Sequence, residues 1–168
     1  MRPNKPILLA VEGYALAGGT EILQGTDIRV AAEDATFGVT EVARGLYPLA
    51  GSTIRLRRQI PYAMAAEMLL TGRHVTAEEA LRWGLINHIT PPGGALAKAR
   101  EIAATIAECA PLALRAVTRS LREHQEALQE DEAMAKSDEL GWAVLATKDA
   151  KEGMKAFAEK RKAHFTGA

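Results

Sequence analysis

The apolar residues of the N-terminal part lie in short continuous runs rather than at a helical period. Residues 7–11 form the first run. It is β-branched at both ends, which predicts a strand buried on both faces. Residues 27–31 and 86–89 predict its neighbours in a sheet. Because only six residues precede the first run, we expect earlier strands of the same sheet to be missing.

Helical signals begin near the middle of the chain. Pro61 suits a first helical position and predicts a helix that stops before Gly72. Thr76 and Glu79 have the spacing of a capping box, in which each residue bonds the backbone N–H of the other. This pattern predicts a helix that ends near Gly84.

The clearest break in the chain is the Pro-Pro-Gly-Gly segment at 91–94. Pro111 is placed as a first-turn residue of one of the helices predicted after this break. The four predicted helices span about 95–109, 111–128, 131–146 and 149–163. The sequence therefore predicts an α/β fold with strands and short helices first and a helical part after them.

Composition and charge narrow the classes of function. The 21 basic and 21 acidic residues balance, so charge gives no ground for nucleic acid or an anionic membrane as a partner. The apolar runs are too short to span a bilayer.

Cys109 is the single cysteine, which suits a reducing cytoplasm. We expect a partly buried, unreactive thiol rather than a nucleophile, because no histidine lies nearby. Metal-ligand spacing is absent among the four histidines, so no metal site is expected: His74, His88, His124 and His164.

The segment after the first strand carries the candidate chemistry. Gly18 and Gly19 open a predicted helix, and the first N–H groups of a helix have no partner within it. Such a turn suits an oxyanion, although a tight strand-to-helix turn also needs glycine by itself. Glu21 and Glu41 are the carboxylates of interest. The alternative for Glu21 is a first-turn residue that complements the helix dipole. The alternative for Glu41 is a solvated surface side chain.

Three blocks of this sequence resemble the enoyl-CoA hydratase/isomerase (crotonase) family. Residues 5–21 resemble its strand of the type K-P-x-I-A-A-V followed by G-x-A-x-G-G-G-x-E. Glu41 follows Glu21 at the spacing of the family's two catalytic glutamates. Residues 70–87 and 152–161 resemble two further blocks, so the resemblance covers nearly the whole chain.

The resemblance implies a crotonase-like (ClpP/crotonase) spiral core that is truncated at the N-terminus. Residues 1–92 would be the C-terminal part of that core, and 93–168 a helical trimerisation region. We accordingly expect a cytoplasmic homotrimer or hexamer. Full-length family members carry a long N-terminal part, which supplies a second oxyanion N–H and much of the site for the adenine of coenzyme A. The resemblance therefore implies that this chain has one such donor.

The activity that the resemblance implies is hydration of a 2-enoyl-CoA thioester in fatty-acid or related acyl-CoA degradation. The N–H of Gly18 would stabilise the thioester oxyanion, while Glu21 and Glu41 would hold a water and transfer protons. No cofactor is implied, since coenzyme A enters as part of the substrate. Further residues implied to bind substrate are Leu16, Ala17, Gly19, Pro48 and Leu49, with Lys160 and Lys162 as contacts to the CoA phosphates. Those two lysines have the alternative of a cationic helix end that complements the dipole.

The sequence departs from the family pattern at several positions. Ala17 takes the place of the first glycine of the usual triple, and we expect its methyl group to be tolerated. Glu12 stands where many members have asparagine. Leu49 and Ser52 alter the usual P-G-A-G-G stretch and would reshape the acyl pocket. The alternatives to a hydratase are an isomerase, dehydratase or hydrolase of the same superfamily, or a non-catalytic remnant that binds coenzyme A or oligomerises.

Overall fold

A computed structural model describes residues 4–44, 46–123, 143 and 146–168 of the chain. The chain divides into two compact units. The first is Ile7–Ala103, and the second contains Ala104–Ala168 with the residues that precede Ile7. The helix Ala95–Ala107 (α5) continues from the first unit into the second. The assignment of 1–92 to a spiral core and 93–168 to a trimerisation region stays a prediction.

Two three-stranded sheets form the strand part of the first unit. The strands are Leu8–Val11 (β1), Tyr14–Leu16 (β2), Ile28–Ala32 (β3), Thr36–Gly38 (β4), Val75–Thr76 (β5) and His88–Thr90 (β6). One sheet has the order β1-β3-β6, and both of its pairs are parallel. The other has the order β2-β4-β5, in which β2 and β4 are parallel and β5 is antiparallel to β4.

The predicted strands are present, but the predicted burial of the first strand is wrong. β1 pairs with β3 from Leu8 opposite Ile28 to Val11 opposite Ala31, and β3 in turn pairs with β6. However, only Val11 of β1 is buried, and the strand's other residues are half-buried. The prediction of burial on both faces is therefore wrong for this strand. The reason is that β3 is its one neighbour in the described sheet.

Two helices of the first unit end where their local sequence predicts. The helices of this unit are Gly18–Leu23 (α1), Ser52–Gln59 (α2), Tyr62–Thr71 (α3), Ala77–Trp83 (α4) and most of α5, with a 3-10 helix at Val42–Arg44. Thr76 caps α4 in a complete capping box with Glu79, which confirms that prediction. Gly72 and Gly84 end α3 and α4 at φ of 64° and 79°. Glycine adopts this left-handed conformation without a Cβ penalty.

One apolar cluster holds both sheets and helices α1 to α4 together. Among its large, fully buried members are Leu23, Phe37, Leu56, Met68, Val75 and Leu85. Because these side chains come from α1, β4, α2, α3, β5 and the segment after α4, the cluster fixes the position of the turn that follows β2. A second, smaller cluster packs Val30 of β3 against Ala95 and Ala99 of α5.

The second unit contains Pro111–Glu123 (α6) and Lys148–Ala158 (α7). Pro111 begins α6 as predicted. The predicted extension of α7 to residue 163 is wrong, because Lys160 has a φ of 52° and the N–H of Arg161 donates to the carbonyl of Ala156 at 3.1 Å. These features close the helix as a Schellman motif. The predicted helix 131–146, apart from residues 143 and 146, and the end of 111–128 lie outside the described residues.

Candidate active site

The turn between β2 and α1 brings the predicted glycine motif together. Ala17 precedes the helix with φ 50° and ψ −119°, and its N–H donates to the carbonyl of Gly38 at 2.7 Å. Gly18 is the first residue of α1, and a Cβ on Gly18 would meet no described atom within 4 Å apart from those of its chain neighbours and its own helix backbone. At Gly19, such a Cβ would lie 3.6 Å from that of Ala15. The prediction that the two glycines open a helix is confirmed.

Glu21 lies in the first turn of α1 and is buried, with 6% of its surface exposed. Its Oε1 accepts a hydrogen bond from the backbone N–H of Ser52 at 3.2 Å. Ser52 is the first residue of α2, so this N–H has no acceptor within its own helix. The carboxylate of Glu21 is thus bound to a second helix, which a residue that merely complements its own helix dipole does not require.

Glu41 follows β4 and is also buried, with 9% exposed. Its Oε2 has no hydrogen-bond partner among the described residues. Its backbone carbonyl accepts from the N–H groups of Arg44 and Leu46 at 2.9 and 3.0 Å, so the chain turns sharply just after it. The alternative of a solvated surface carboxylate is wrong for Glu41, because the side chain lies inside the protein.

The two glutamates follow the carboxyl ends of paired parallel strands. Leu16 at the end of β2 lies opposite Gly38 at the end of β4. Thr20 of α1 joins these ends further, since its hydroxyl accepts the N–H of Gly38 at 3.0 Å. Parallel strands deliver the residues that follow them to one edge of the sheet. Glu21 and Glu41 therefore come from neighbouring strand ends.

An apolar groove begins directly after Glu41. Its volume is about 410 Å³, within the range of small-molecule sites. Pro48 is buried and lines the groove, whereas Leu49 is 89% exposed and is not among its lining residues. The other lining residues are Val42, Leu46, Tyr47, Thr53, Arg57, Tyr62, Ala65, Ala66, Leu69 and Leu70. The structure thus separates Pro48 from Leu49, which the sequence had grouped together.

The two lysines predicted to contact CoA phosphates lie in the second unit, beyond the end of α7. Lys160 is exposed. Lys162 is paired with Glu108, whose Oε1 lies 2.8 Å from its Nζ. The pKa of Glu108 is lowered, mainly because its carboxylate accepts a hydrogen bond from Lys162. Because α7 ends before both lysines, they do not lie in its last turn as the helix-dipole alternative requires.

Two contacts near the candidate site were missed by sequence reasoning because they join distant segments. Gln24, the residue that ends α1, donates from its side-chain amide to the hydroxyl of Ser52 at 2.8 Å. Glu12 accepts the N–H groups of Gly93 and Ala95 at 2.9 and 3.0 Å, so its carboxylate caps the start of α5. The sequence signals were a glutamine directly after two apolar residues and a glutamate in place of the family's asparagine.

Within the described part of the chain, the cysteine and the histidines do not form a site. Cys109 is exposed rather than partly buried, because it lies beyond the end of α5. His74, His88 and His164 are exposed, and His124 lies outside the described residues. In the ranges that the structure describes, metal-ligating side chains nowhere gather in groups of three or more that could hold an ion. No helix in the same ranges is long and apolar enough to cross a membrane.

Comparison with solved structures identifies the fold. The structure matches the enoyl-CoA hydratase of Mycobacterium tuberculosis H37Rv with a TM-score of 0.94 and 44% identity, over 99% of this chain and 66% of that one. It matches enoyl-CoA hydratase EchA1 of Mycobacterium marinum with the same TM-score and identity, over 99% of this chain and 68% of that one. The fold is therefore that of the crotonase class of α/β proteins.

The chain belongs to the enoyl-CoA hydratase/isomerase family, whose sequence profile matches residues 1–168. It is 55% identical to enoyl-CoA hydratase EchA19 of Mycobacterium tuberculosis over 98% of this chain and 61% of that protein. It is 40% identical to 2,3-dehydroadipyl-CoA hydratase of Escherichia coli (strain K12), over 98% of this chain and 64% of that protein. The resemblance drawn from the sequence is confirmed. The chain spans about three fifths of the length of these curated relatives.

Proposed function

We propose that this chain adds water across the 2,3 double bond of a 2-enoyl-CoA thioester, in the cytoplasm, in fatty-acid or related acyl-CoA degradation. The observation that carries the proposal is the burial of two carboxylates, Glu21 and Glu41, just beyond the paired ends of β2 and β4. Burying a carboxylate costs folding free energy. Two of them after one pair of strand ends therefore favour a chemical role over a stabilising one.

The proposed mechanism uses the turn before α1 and both glutamates. The N–H of Gly18 donates to the thioester oxygen, which gains negative charge as the enolate forms. One glutamate removes a proton from water as the water oxygen bonds to C3, and the other delivers a proton to C2. The different surroundings of the carboxylates support two roles. Glu21 is held by the N–H of Ser52, whereas Oε2 of Glu41 has no partner in the described structure.

Substrate binding is proposed for the residues around this turn. Leu16, Ala17 and Gly19 flank the oxyanion donor, and the groove that begins after Glu41 is apolar enough for an acyl group. Pro48 lines that groove, and the next residue, Leu49, is exposed.

For Lys160 and Lys162 the proposed role is contact with the CoA phosphates. In that role, Lys162 would exchange its pairing with Glu108 for a phosphate. The proposed assembly is a homotrimer or a hexamer.

The reverse reaction, dehydration of a 3-hydroxyacyl-CoA, is the second candidate. A pair of carboxylates that adds water to a double bond also removes it, because both directions share one transition state. The relatives support this candidate, since the chain is 40% identical to carnitinyl-CoA dehydratase of Salmonella arizonae, over 98% of this chain and 64% of that protein.

Hydration of crotonyl-CoA by the 168-residue chain tests the proposal, followed as loss of the conjugated enoyl absorbance. We expect Glu41→Gln to lower kcat by at least ~100-fold, the usual contribution of a general acid or base. Glu33→Gln is the matched control, because Glu33 is an exposed glutamate between β3 and β4. Turnover that survives in Glu41→Gln would contradict the assigned role. A wild-type chain without turnover in either direction would favour another superfamily reaction or a non-catalytic protein.

A further inference from the structure

A line of hydrogen bonds runs from Glu21 into the protein interior. The backbone N–H of Ser52 donates to Glu21 Oε1 at 3.2 Å, and the side-chain amide of Gln24 donates to the Ser52 hydroxyl at 2.8 Å. The amide of Gln59 donates to the backbone carbonyl of Gln24 at 2.9 Å. The guanidinium of Arg29 donates to Gln59 Oε1 at 3.0 Å. Ser52 and Gln24 are 0% and 3% exposed, so water does not compete for their bond.

Stability alone does not explain why Gln24 and Ser52 form a buried polar pair. An apolar pair of similar volume would fill the same space without removing a hydroxyl and an amide from water. The Oε1 of Gln24 has no partner among the described residues, which makes the arrangement less favourable still. The bond itself holds for either orientation of the amide, since the Ser52 hydroxyl both donates and accepts. Gln24 and Ser52 therefore supply a directional contact, which an apolar pair would not.

The contact joins two helices at the point where Glu21 is held. Gln24 ends α1, the helix that carries Glu21, and Ser52 begins α2. Gln24 also meets the other end of α2, because its carbonyl accepts from Gln59. Both ends of α2 are thus fixed to one residue, and the first N–H of that helix is aimed at the carboxylate. The bond from Gln24 reaches the hydroxyl of Ser52, so without it the backbone of Ser52 is tied to α1 only by the longer 3.2 Å contact of its N–H with Glu21.

We propose that Gln24 is a positioning residue, which fixes the carboxylate of Glu21 by holding Ser52. The consequence for turnover rests on the proposed function, whereas the consequence for the Ser52 N–H does not. A carboxylate released from its donor samples orientations away from the reacting water. Because a displacement of about 1 Å can cost ~100-fold in rate, we expect loss of the Gln24 amide to lower kcat by about tenfold.

Amide hydrogen exchange tests the positioning without any activity. In Gln24→Leu, the protection of the Ser52 N–H should fall at least ~10-fold more than that of the Ile60 N–H, which donates to Leu56 at the far end of α2. Ser52→Ala should produce the same loss at residue 52, and the double variant should add nothing, because each change removes the same bond. Equal loss at both amides, or an additive double variant, would overturn the proposal.

Crotonyl-CoA hydration tests the consequence for turnover. Gln24→Leu should lower kcat about tenfold and leave KM within about twofold, since the lost contact orients a reacting group rather than binding substrate. Val30→Ala is the control for general destabilisation: this core residue of β3 packs against α5 in the smaller apolar cluster and takes no part in the line of bonds, and its kcat should stay at the wild-type value. A Gln24→Leu chain with wild-type kcat would refute the catalytic consequence. A wild-type chain without turnover would refute the proposed function alone, and the exchange experiment would still decide the positioning.

Discussion

Ala17 holds a backbone conformation that glycine adopts more easily. Its φ of 50° and ψ of −119° match the first central residue of a type II′ turn, where glycine predominates. A non-glycine residue in such a region costs about 1–3 kcal/mol. Glycine removes this cost but adds freedom to the unfolded chain, which costs ~0.4–1 kcal/mol. We therefore expect Ala17→Gly to raise the free energy of unfolding by about 1 kcal/mol.

Urea unfolding of the 168-residue chain measures this gain. The midpoint should rise by about 0.5 M at an unchanged slope, for a slope near 2 kcal/mol per M. Ala103→Gly is the matched control, because Ala103 is exposed within α5, and glycine in a helix costs ~0.5–1 kcal/mol. The two alanine-to-glycine changes should thus move the midpoint in opposite directions. A fall of the midpoint in Ala17→Gly would refute the strain argument.

Two further predictions concern carboxylates outside the proposed active site. Glu12→Ala should lower the free energy of unfolding by about 1 kcal/mol, the usual loss for a helix cap, while Glu33→Ala, a change at an exposed glutamate, should lie within ~0.5 kcal/mol of wild type in the same urea assay. The pKa of Glu152 is lowered from 4.5 to about 2, first by hydrogen bonds from Arg161 and then by the N–H of His164. The stabilisation from a lowered carboxyl pKa is complete above the unfolded value and is lost as the pH falls from about 4.5 towards 2. Arg161→Gln should therefore raise the pKa of Glu152 towards 4.5 in a carbon-13 NMR titration and weaken the acid dependence of thermal unfolding; an unchanged pKa would contradict the pairing.

Local patterns made much of the fold predictable. The capping box needs only Thr76 and Glu79, which lie three residues apart, so its chemistry is visible in the sequence. Gly72 and Gly84 stop their helices through a conformation that depends on one residue. The turn before α1 was found in the same way, because Gly18 and Gly19 stand directly after a strand pattern.

Contacts between distant segments were not predictable from one sequence. Gln24 and Ser52 are 28 positions apart, and Glu12 reaches residues 81 and 83 positions away. No periodicity or spacing encodes such pairs. The end of α7 was missed for another reason, since a lysine rather than a glycine adopts the left-handed conformation there. Burial of Glu41 also depends on packing that its own neighbours in sequence do not reveal.

The two faces of α2 have different neighbours. Ser52 and Leu56 are buried and, with Gln59, make the contacts on the inner face, while Thr53 and Arg57, also four residues apart, line the apolar groove. Residues four apart share a helix face, so a change at the outer pair leaves the inner one in place. Selection or protein engineering can therefore vary the shape and charge of the groove through positions 53 and 57 without disturbing the support of the buried carboxylate. If the groove holds the acyl group as proposed, one short helix in this way makes ligand preference evolvable while it keeps the proposed reactive group, Glu21, constant.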